Sequence, residues 1–295
     1  MPSFSPTEYA VPFFIFLILI EMFWARRNRP DAYEPKDTIV SLVFGLGSTV
    51  SGLLFSGFFF IIFLNAWEYR LFGFNQHWWA TWWAWPLCFI IDDFKYYWVH
   101  RAGHRIRWMW AAHVNHHSSQ HYNLSTALRQ TWTGPFTFGF VFSLPLVLLG
   151  FHPLMIAICR GFNLIYQFWI HTEVIKKMPP WFEAVMNTPS HHRVHHATNP
   201  RYLDRNYAGV FIVWDKLFGT FEPEDQEEEI RYGIIKQLGS FNIFWAVFHE
   251  WVGMVLDIFR SPWKFKIFYL LREPGWTHDG TRDTTDMIRK RWLAS

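Results

Sequence analysis

Apolar residues along this chain gather into blocks separated by polar stretches. Ala10 to Trp24 is apolar except for Glu21, and Arg26, Arg27 and Arg29 follow it. Thr38 to Leu64 is a second block of 27 residues. A helix of roughly 20 residues crosses a bilayer, so this one is expected to tilt or to extend beyond it. It contains Gly45, Gly47, Gly52 and Gly57, small residues that permit close helix packing in lipid. Asn65 to Gln76 reads as a polar loop, and a Trp-rich block, Trp78 to Val99, then runs directly into His100. Gly134 to Leu149 and Leu154 to Ile170 form an apolar pair joined by Gly150-Phe151-His152-Pro153. Each arm is at the short end for a span, so the pair is either a full or a re-entrant hairpin. Phe241 to Leu271 is aromatic-rich but broken by charges and Pro262, the pattern of helices lying on a membrane surface. No repeat or linker divides the chain, which reads as one membrane-embedded domain over residues 1–295. The pattern predicts an all-α integral membrane protein with about four to five membrane helices (10–24, 38–64, 78–99, 134–149 and 154–170). Residues 100–133 and 171–295 form a cytosolic helical cap carrying a histidine-rich di-metal site.

Composition supports a membrane setting. Charged residues are only 17% of the chain, against 19 Trp and 32 Phe, and aromatics concentrate at membrane–water interfaces. The net charge of +3 comes without a Lys/Arg tract, which excludes nucleic acid as a partner. Cys88 and Cys159 lie far apart in apolar runs and suggest neither a disulfide framework nor a thiolate metal site. Met1 to Tyr9 lacks a positively charged n-region, so the first block does not read as a cleaved signal peptide. Arg26, Arg27, Arg29 and Lys36 follow the first block, whereas the loop from Asn65 to His77 carries only Arg70. The positive-inside rule therefore assigns the Arg26 loop to the cytosol. Counting spans from there brings every histidine group out on the cytosolic side of a bacterial inner membrane or the endoplasmic reticulum.

Those groups are His100-x-x-x-His104, His113-x-x-His116-His117, a lone His171, and His192-x-x-His195-His196. On a helix, residues four apart share a face, about 6 Å apart along the axis. Adjacent histidines point about 100° apart, so a His-x-x-His-His unit reaches two neighbouring ions. Nine imidazoles exceed the roughly four to six ligands of one ion, and two ions are the natural count. Nitrogen ligands without thiolate suit zinc, iron, copper or nickel. His121 is a candidate substrate contact and His191 an extra ligand or a supporting residue. His77, His152, His249 and His278 read as ordinary structural histidines. Asp93, seven residues before His100 and nearly in line on a helix, is a candidate to accept a ring N–H from a ligand, as are Glu173, Asp204 and Asn206. Arg101, Arg105, Arg107, Arg193, Arg201 and Arg205 read as a basic cytosolic rim, and the six acids between Glu222 and Glu229 as a solvated loop.

Histidine tracts placed around paired spans resemble the fatty acid hydroxylase/sterol desaturase superfamily of membrane di-iron enzymes, over Asp92 to Glu224. Longer strings are similar to its glyceryl-ether-cleaving branch. They are Tyr122 to Gln130, Phe162 to Glu173, Asn187 to His196 and Asp204 to Glu222. The resemblance implies that His100, His104, His113, His116, His117, His171, His192, His195 and His196 hold two iron ions. It implies molecular oxygen, a lipid substrate and an external electron-donor system, with no catalytic residue beyond the metal centre. For the ether-cleaving branch it further implies tetrahydrobiopterin. Two positions depart from pattern. Gln167 stands where the superfamily's hydroxylases often carry a further histidine, and Arg105 stands where the ether-cleaving branch has Glu.

The expected function is a membrane di-iron, oxygen-dependent lipid monooxygenase that hydroxylates an alkyl or acyl chain and cleaves ether lipids. Phe136, Phe138, Phe140, Phe162 and Phe168 are candidates to line the chain's path from the bilayer. The alternatives are a sterol or fatty-acyl hydroxylase or desaturase, and a non-catalytic metal-binding or transport protein. A transporter keeps its ligands near the bilayer midplane, whereas these lie outside the apolar blocks.

Overall fold

In the computed structural model, residues 6–73 and 78–295 are described; His77 and part of the Asn65–Gln76 loop lie outside them. The elements are helical, and among the described residues the extended pairings are the isolated bridges Met186–Phe211 and Ala197–Tyr232. Helices α1 (Pro6–Asn28) and α2 (Pro35–Glu68) are long and apolar enough to cross a membrane. Glu34 caps α2 by accepting from the Asp37 backbone N–H, and Pro35 occupies the first turn, where its missing N–H costs nothing. Much of the apolar surface of both faces outward: Phe16 and Leu19 on α1, and Leu54 and Phe58 on α2, are exposed. The polar exception in the first block is accounted for. Glu21 is buried and accepts from the Tyr33 hydroxyl, the Leu124 N–H and the Thr172 hydroxyl, which ties α1 to the loop after His171.

Helices α3 (Ala84–Arg105) and α4 (Arg107–His117) form a tight pair hinged at Ile106, whose extended backbone (φ −121°, ψ 116°) turns the chain back. The expected start of this block at Trp78 is too early, because Trp78–Ala80 is a separate 3-10 turn.

The first arm of the expected hairpin is not a continuous helix. It comprises 3-10 turns at Gly134–Thr137 and Gly139–Ser143 and the five-residue α5 (Leu144–Leu148). Phe138 between the turns is left-handed (φ 59°) and Pro145 lacks a backbone donor, so no regular ladder runs through. The second arm is regular: α6 (Pro153–Trp169) starts at a His152 cap that accepts from the Leu154 N–H.

Short helices α7 (Pro180–Val185), α8 (Pro189–His196) and α9 (Val213–Leu217) follow. The remaining helices are α10 (Ile243–Arg260), α11 (Phe268–Leu271) and α12 (Thr285–Ala294). Helix α10 packs on α4 and, through Ala246 and Val247, on α2, and leaves Phe244, Phe248, Val252 and Phe259 exposed. Helix α1 packs on α6, with Phe14 stacked on Phe168 (centroids 4.1 Å apart). Phe168 is therefore core, not part of an entry path. Of the four α2 glycines, Gly47 allows a close approach, since a Cβ there would meet the Trp132 ring at 2.1 Å; Gly52 and Gly57 face open space.

Candidate metal centre

Four elements bring the nine histidines together. The last two turns of α3 supply His100 and His104, and α4 supplies His113, His116 and His117. His171 follows the end of α6, and α8, opened by Pro189, supplies His192, His195 and His196. Their nitrogens separate into two groups: His100, His104, His113, His117 and His195, and His116, His171, His192 and His196. Within each group the nearest ring nitrogens all lie within 4.8 Å of one another. The adjacent pair His116 and His117 is split between the groups, as are His195 and His196, the consequence of their ~100° angular offset on a helix.

Hydrogen bonds behind the rings fix which nitrogen faces inward. His116 donates from Nδ1 to the Arg129 carbonyl (3.3 Å) and His171 donates from Nδ1 to the Gln167 carbonyl (2.8 Å). A carbonyl oxygen only accepts, so in each neutral ring Nε2 keeps a bare lone pair. Those two Nε2 atoms lie 3.2 Å apart. Facing lone pairs repel, and a cation between them reverses the sign. A metal–nitrogen bond of about 2.1 Å sets neighbouring ligands of an octahedral ion about 3 Å apart. His171–His192 (3.0 Å), His192–His196 (3.2 Å), His100–His113 (3.0 Å) and His113–His117 (3.2 Å) repeat that spacing. His100 and His195 donate from Nδ1 to the Tyr207 and Arg205 carbonyls, and His104 Nδ1 lies 3.3 Å from Asp204 Oδ1. The Nε2 atoms of His104 and His195 are buried without a protein partner. Each such atom costs about 1–3 kcal/mol if left unsatisfied, and the all-nitrogen donor sets fit metal ions.

Burial favours the neutral, metal-binding form in eight of these imidazoles. It pushes His100 down to about 3, with the neighbouring His104 adding to the effect, and His171 down to about 4. His113, His116, His117, His192, His195 and His196 are driven well below the ordinary value, first by burial and then by crowding against one another.

The supporting residues differ from those expected. Asp93 meets no histidine. It accepts from Asn163 Nδ2, the Val210 and Phe211 N–H groups and Trp214 Nε1. It thereby anchors the loop whose Tyr207 carbonyl holds His100, and a Cβ on Gly209 would collide with it at 2.7 Å. Gln167 serves through its backbone carbonyl, while its side chain donates to Asn163. Glu173 accepts from Arg29 and Tyr232. Asn206, left-handed at φ 56°, bridges the His191 and Glu222 backbones. His191 packs edge-on against Phe221 outside both groups, and His121 Nδ1 contacts the Asp31 carbonyl. Asp204 does contact a group histidine.

Two arginines of the expected basic rim are internal, and the other four are half-buried. Arg107 and Arg193 are each 3% exposed and pair with Glu250 and Asp257, and with Glu224, respectively. The acidic stretch supplies such partners, since Glu222 and Asp225 bind Arg201. Arg129 is a supporting residue that spacing did not reveal. It is 2% exposed, pairs with Asp37 at 3.1 Å and donates to Ser118, while its carbonyl holds His116. Its neighbours Ser125, Thr126, Gln130 and Thr131 are polar, so its burial left no mark in the sequence.

Comparison with known proteins agrees with this geometry. The fatty acid hydroxylase family model matches residues 85–220, which contain all nine histidines. The human alkylglycerol monooxygenase is 41% identical over 271 residues, 90% of this chain and 59% of that protein. The Danio rerio and Xenopus tropicalis alkylglycerol monooxygenases are 40% and 38% identical, each over 91% of this chain and 59% of the relative. The chain thus spans about three-fifths of the length of these curated relatives. No solved structure matches it. Residues 85–220 thus match the fatty acid hydroxylase family model, in a chain similar over about nine-tenths of its length to the alkylglycerol monooxygenases.

Proposed function

We propose that this chain is an oxygen-dependent lipid monooxygenase with two iron ions, one held by each histidine group, acting on the alkyl chain of an ether lipid. The facing lone pairs of His116 and His171 carry the metal reading. The alkylglycerol monooxygenase relatives favour iron and an ether-lipid substrate. When bound, the irons supply the redox chemistry that uses molecular oxygen to hydroxylate a C–H bond. The chain's own contribution is positional. Backbone carbonyls of Tyr207, Arg129, Gln167 and Arg205 hold imidazoles with Nε2 inward. Burial keeps water out and the rings unprotonated. Tetrahydrobiopterin is the proposed reductant. Arg105 alters the position next to His104 but is engaged with acids and takes no place among the nine ring nitrogens.

The same reading gives one domain in a multi-pass membrane protein of the bacterial inner membrane or endoplasmic reticulum. Helices α1 and α2 cross fully, α3 returns the chain to the metal side, and the broken 134–148 arm and α6 form a hairpin from that side whose turn lies beside the end of α2. The exposed apolar face of α10 lies on the bilayer surface. The arginines after α1 assign the metal groups to the cytosolic side.

The test is turnover by the full chain in lipid nanodiscs, loaded anaerobically with ferrous iron. An alkylglycerol with tetrahydrobiopterin should yield a fatty aldehyde only when oxygen is admitted. Oxygen-dependent product from a sterol or acyl lipid instead would replace the ether-lipid assignment, and no product from any of the three would overturn the monooxygenase reading.

A further inference from the structure

Helix α12 lies outside the stretch that carries the histidines, yet it reaches one of them through a single carboxylate. Asp204 Oδ1 is 3.3 Å from His104 Nδ1. Its other oxygen, Oδ2, accepts from Arg105 Nη1 at 3.1 Å and from the Thr285 hydroxyl at the start of α12. Arg105 in turn grips Asp286 with two parallel bonds, Nη1 to Oδ1 at 3.0 Å and Nη2 to Oδ2 at 2.7 Å, and also meets Glu273. Among the described residues, Asp204 is one of three non-glycine residues in the left-handed region (φ 57°). Such a conformation costs free energy unless its surroundings hold it.

Helix α12 buries none of its residues. Among the described residues, its polar ties to the histidine-bearing body are the Thr285 and Asp286 contacts and Arg289 to Glu222 at 3.5 Å. This is a segment held by polar bonds at the edge of the five-histidine group. The four-histidine group has no such link: His116 and His171 are oriented by main-chain carbonyls.

We propose that Asp204, Arg105, Thr285 and Asp286 form a clasp through which α12 orients His104, so that retention of the ion in the five-histidine group, and not in the four-histidine group, depends on α12. Asp204 is a positioning residue and α12 its support. The inference rests on the two-ion reading above.

The test follows iron release from the purified full chain to a chelator, without turnover. Two variants loosen the clasp, Asp286→Ala and Thr285→Val. Asp286→Glu preserves the charge, and Arg291→Ala removes an exposed ion pair with Asp283 elsewhere on α12. In both loosening variants half of the iron should leave at least about 10-fold faster, the scale of outer-partner losses, while the other half keeps the parent rate. Asp286→Glu should restore most of the retention and Arg291→Ala should leave it unchanged. Equal acceleration of both halves, or unchanged release in both loosening variants, would overturn the clasp alone. A parent protein that retains no iron would overturn the two-ion reading and the clasp with it.

Discussion

The Nε2 atoms of His116 and His171 face each other at 3.2 Å, each ring having committed its Nδ1 hydrogen to a backbone carbonyl. Two residues 55 positions apart are thus held with lone pair against lone pair. Replacing either with Ala should remove the ion of the four-histidine group and lower turnover by more than about 100-fold, beyond the range expected of an outer partner. Iron content by elemental analysis and product formation check it; retained iron with near-parent turnover would remove that residue from the ligand set.

Gln167 separates the main chain from the side chain as the working part. Its carbonyl holds His171, while its side chain donates to Asn163. Gln167→Ala should therefore keep both irons and turn over within about 10-fold of the parent, at the low edge of outer-partner losses. It should cost about 1–3 kcal/mol of stability for the stranded Asn163 oxygen. Iron analysis beside thermal melts measures both, and loss of iron on this substitution would assign the side chain a role at the metal.

The Arg129–Asp37 pair is buried at 2% and 7% side-chain exposure and links α2 to the carbonyl that holds His116. Removing one partner strands a buried charge, at about 3–5 kcal/mol. Asp37→Ala and Arg129→Ala should each lower the unfolding free energy by that much in denaturant titrations. Arg129→Lys should recover only part, because an ammonium cannot reproduce the guanidinium's bonds to Asp37, Asn115 and Ser118. Changes within 0.5 kcal/mol, the ordinary surface range, would contradict the buried-pair assignment.

Acid should destabilise the metal-free protein in a defined direction. Free imidazoles titrate near 6.5, whereas burial holds His100 at about 3 and His171 at about 4 in the fold. Between about 6.5 and those values the unfolded chain binds more protons than the folded one, so stability falls as pH drops through that window. Above about 7 these groups contribute no slope. Melts of metal-free protein should give a flat midpoint from pH 8 to 7 and a falling one from pH 6.5 to 5. Iron should be retained at pH 6 and lost as pH approaches 4. A midpoint that rises below pH 6.5 would contradict the buried neutral state.

Much of the site was legible because its signal is spacing. The four-residue interval of His100 and His104, and the three-plus-one interval of the other tracts, place rings on one helical face whatever surrounds them. The split of His116 from His117 followed from the angular offset alone. What spacing could not convey is what stands behind the rings. Four of the orienting groups are backbone carbonyls, which every residue carries, so no residue type marks them. Asp93 lies in line with His100 on α3, yet its four donors come from α6, the Val210–Phe211 backbone and Trp214 on α9, a tertiary arrangement invisible from the helix. Hydropathy likewise treated Gly134 to Leu149 as one apolar arm. Its break comes from the backbone of Phe138, a residue whose side chain gives no hint of a left-handed turn. Arg107 and Arg193 looked like a charged rim because sequence shows a charge but not the carboxylate that buries it.

Two metal ions in two histidine groups are the core of the account, and the metal count tests them most directly. The full chain, purified in detergent, reconstituted anaerobically with ferrous iron and freed of loose metal, should hold close to two irons per chain. His104→Ala and His192→Ala should each lower that figure to about one, and the double variant to none. Fewer than one iron in the parent protein, or an unchanged count in both single variants, would contradict it.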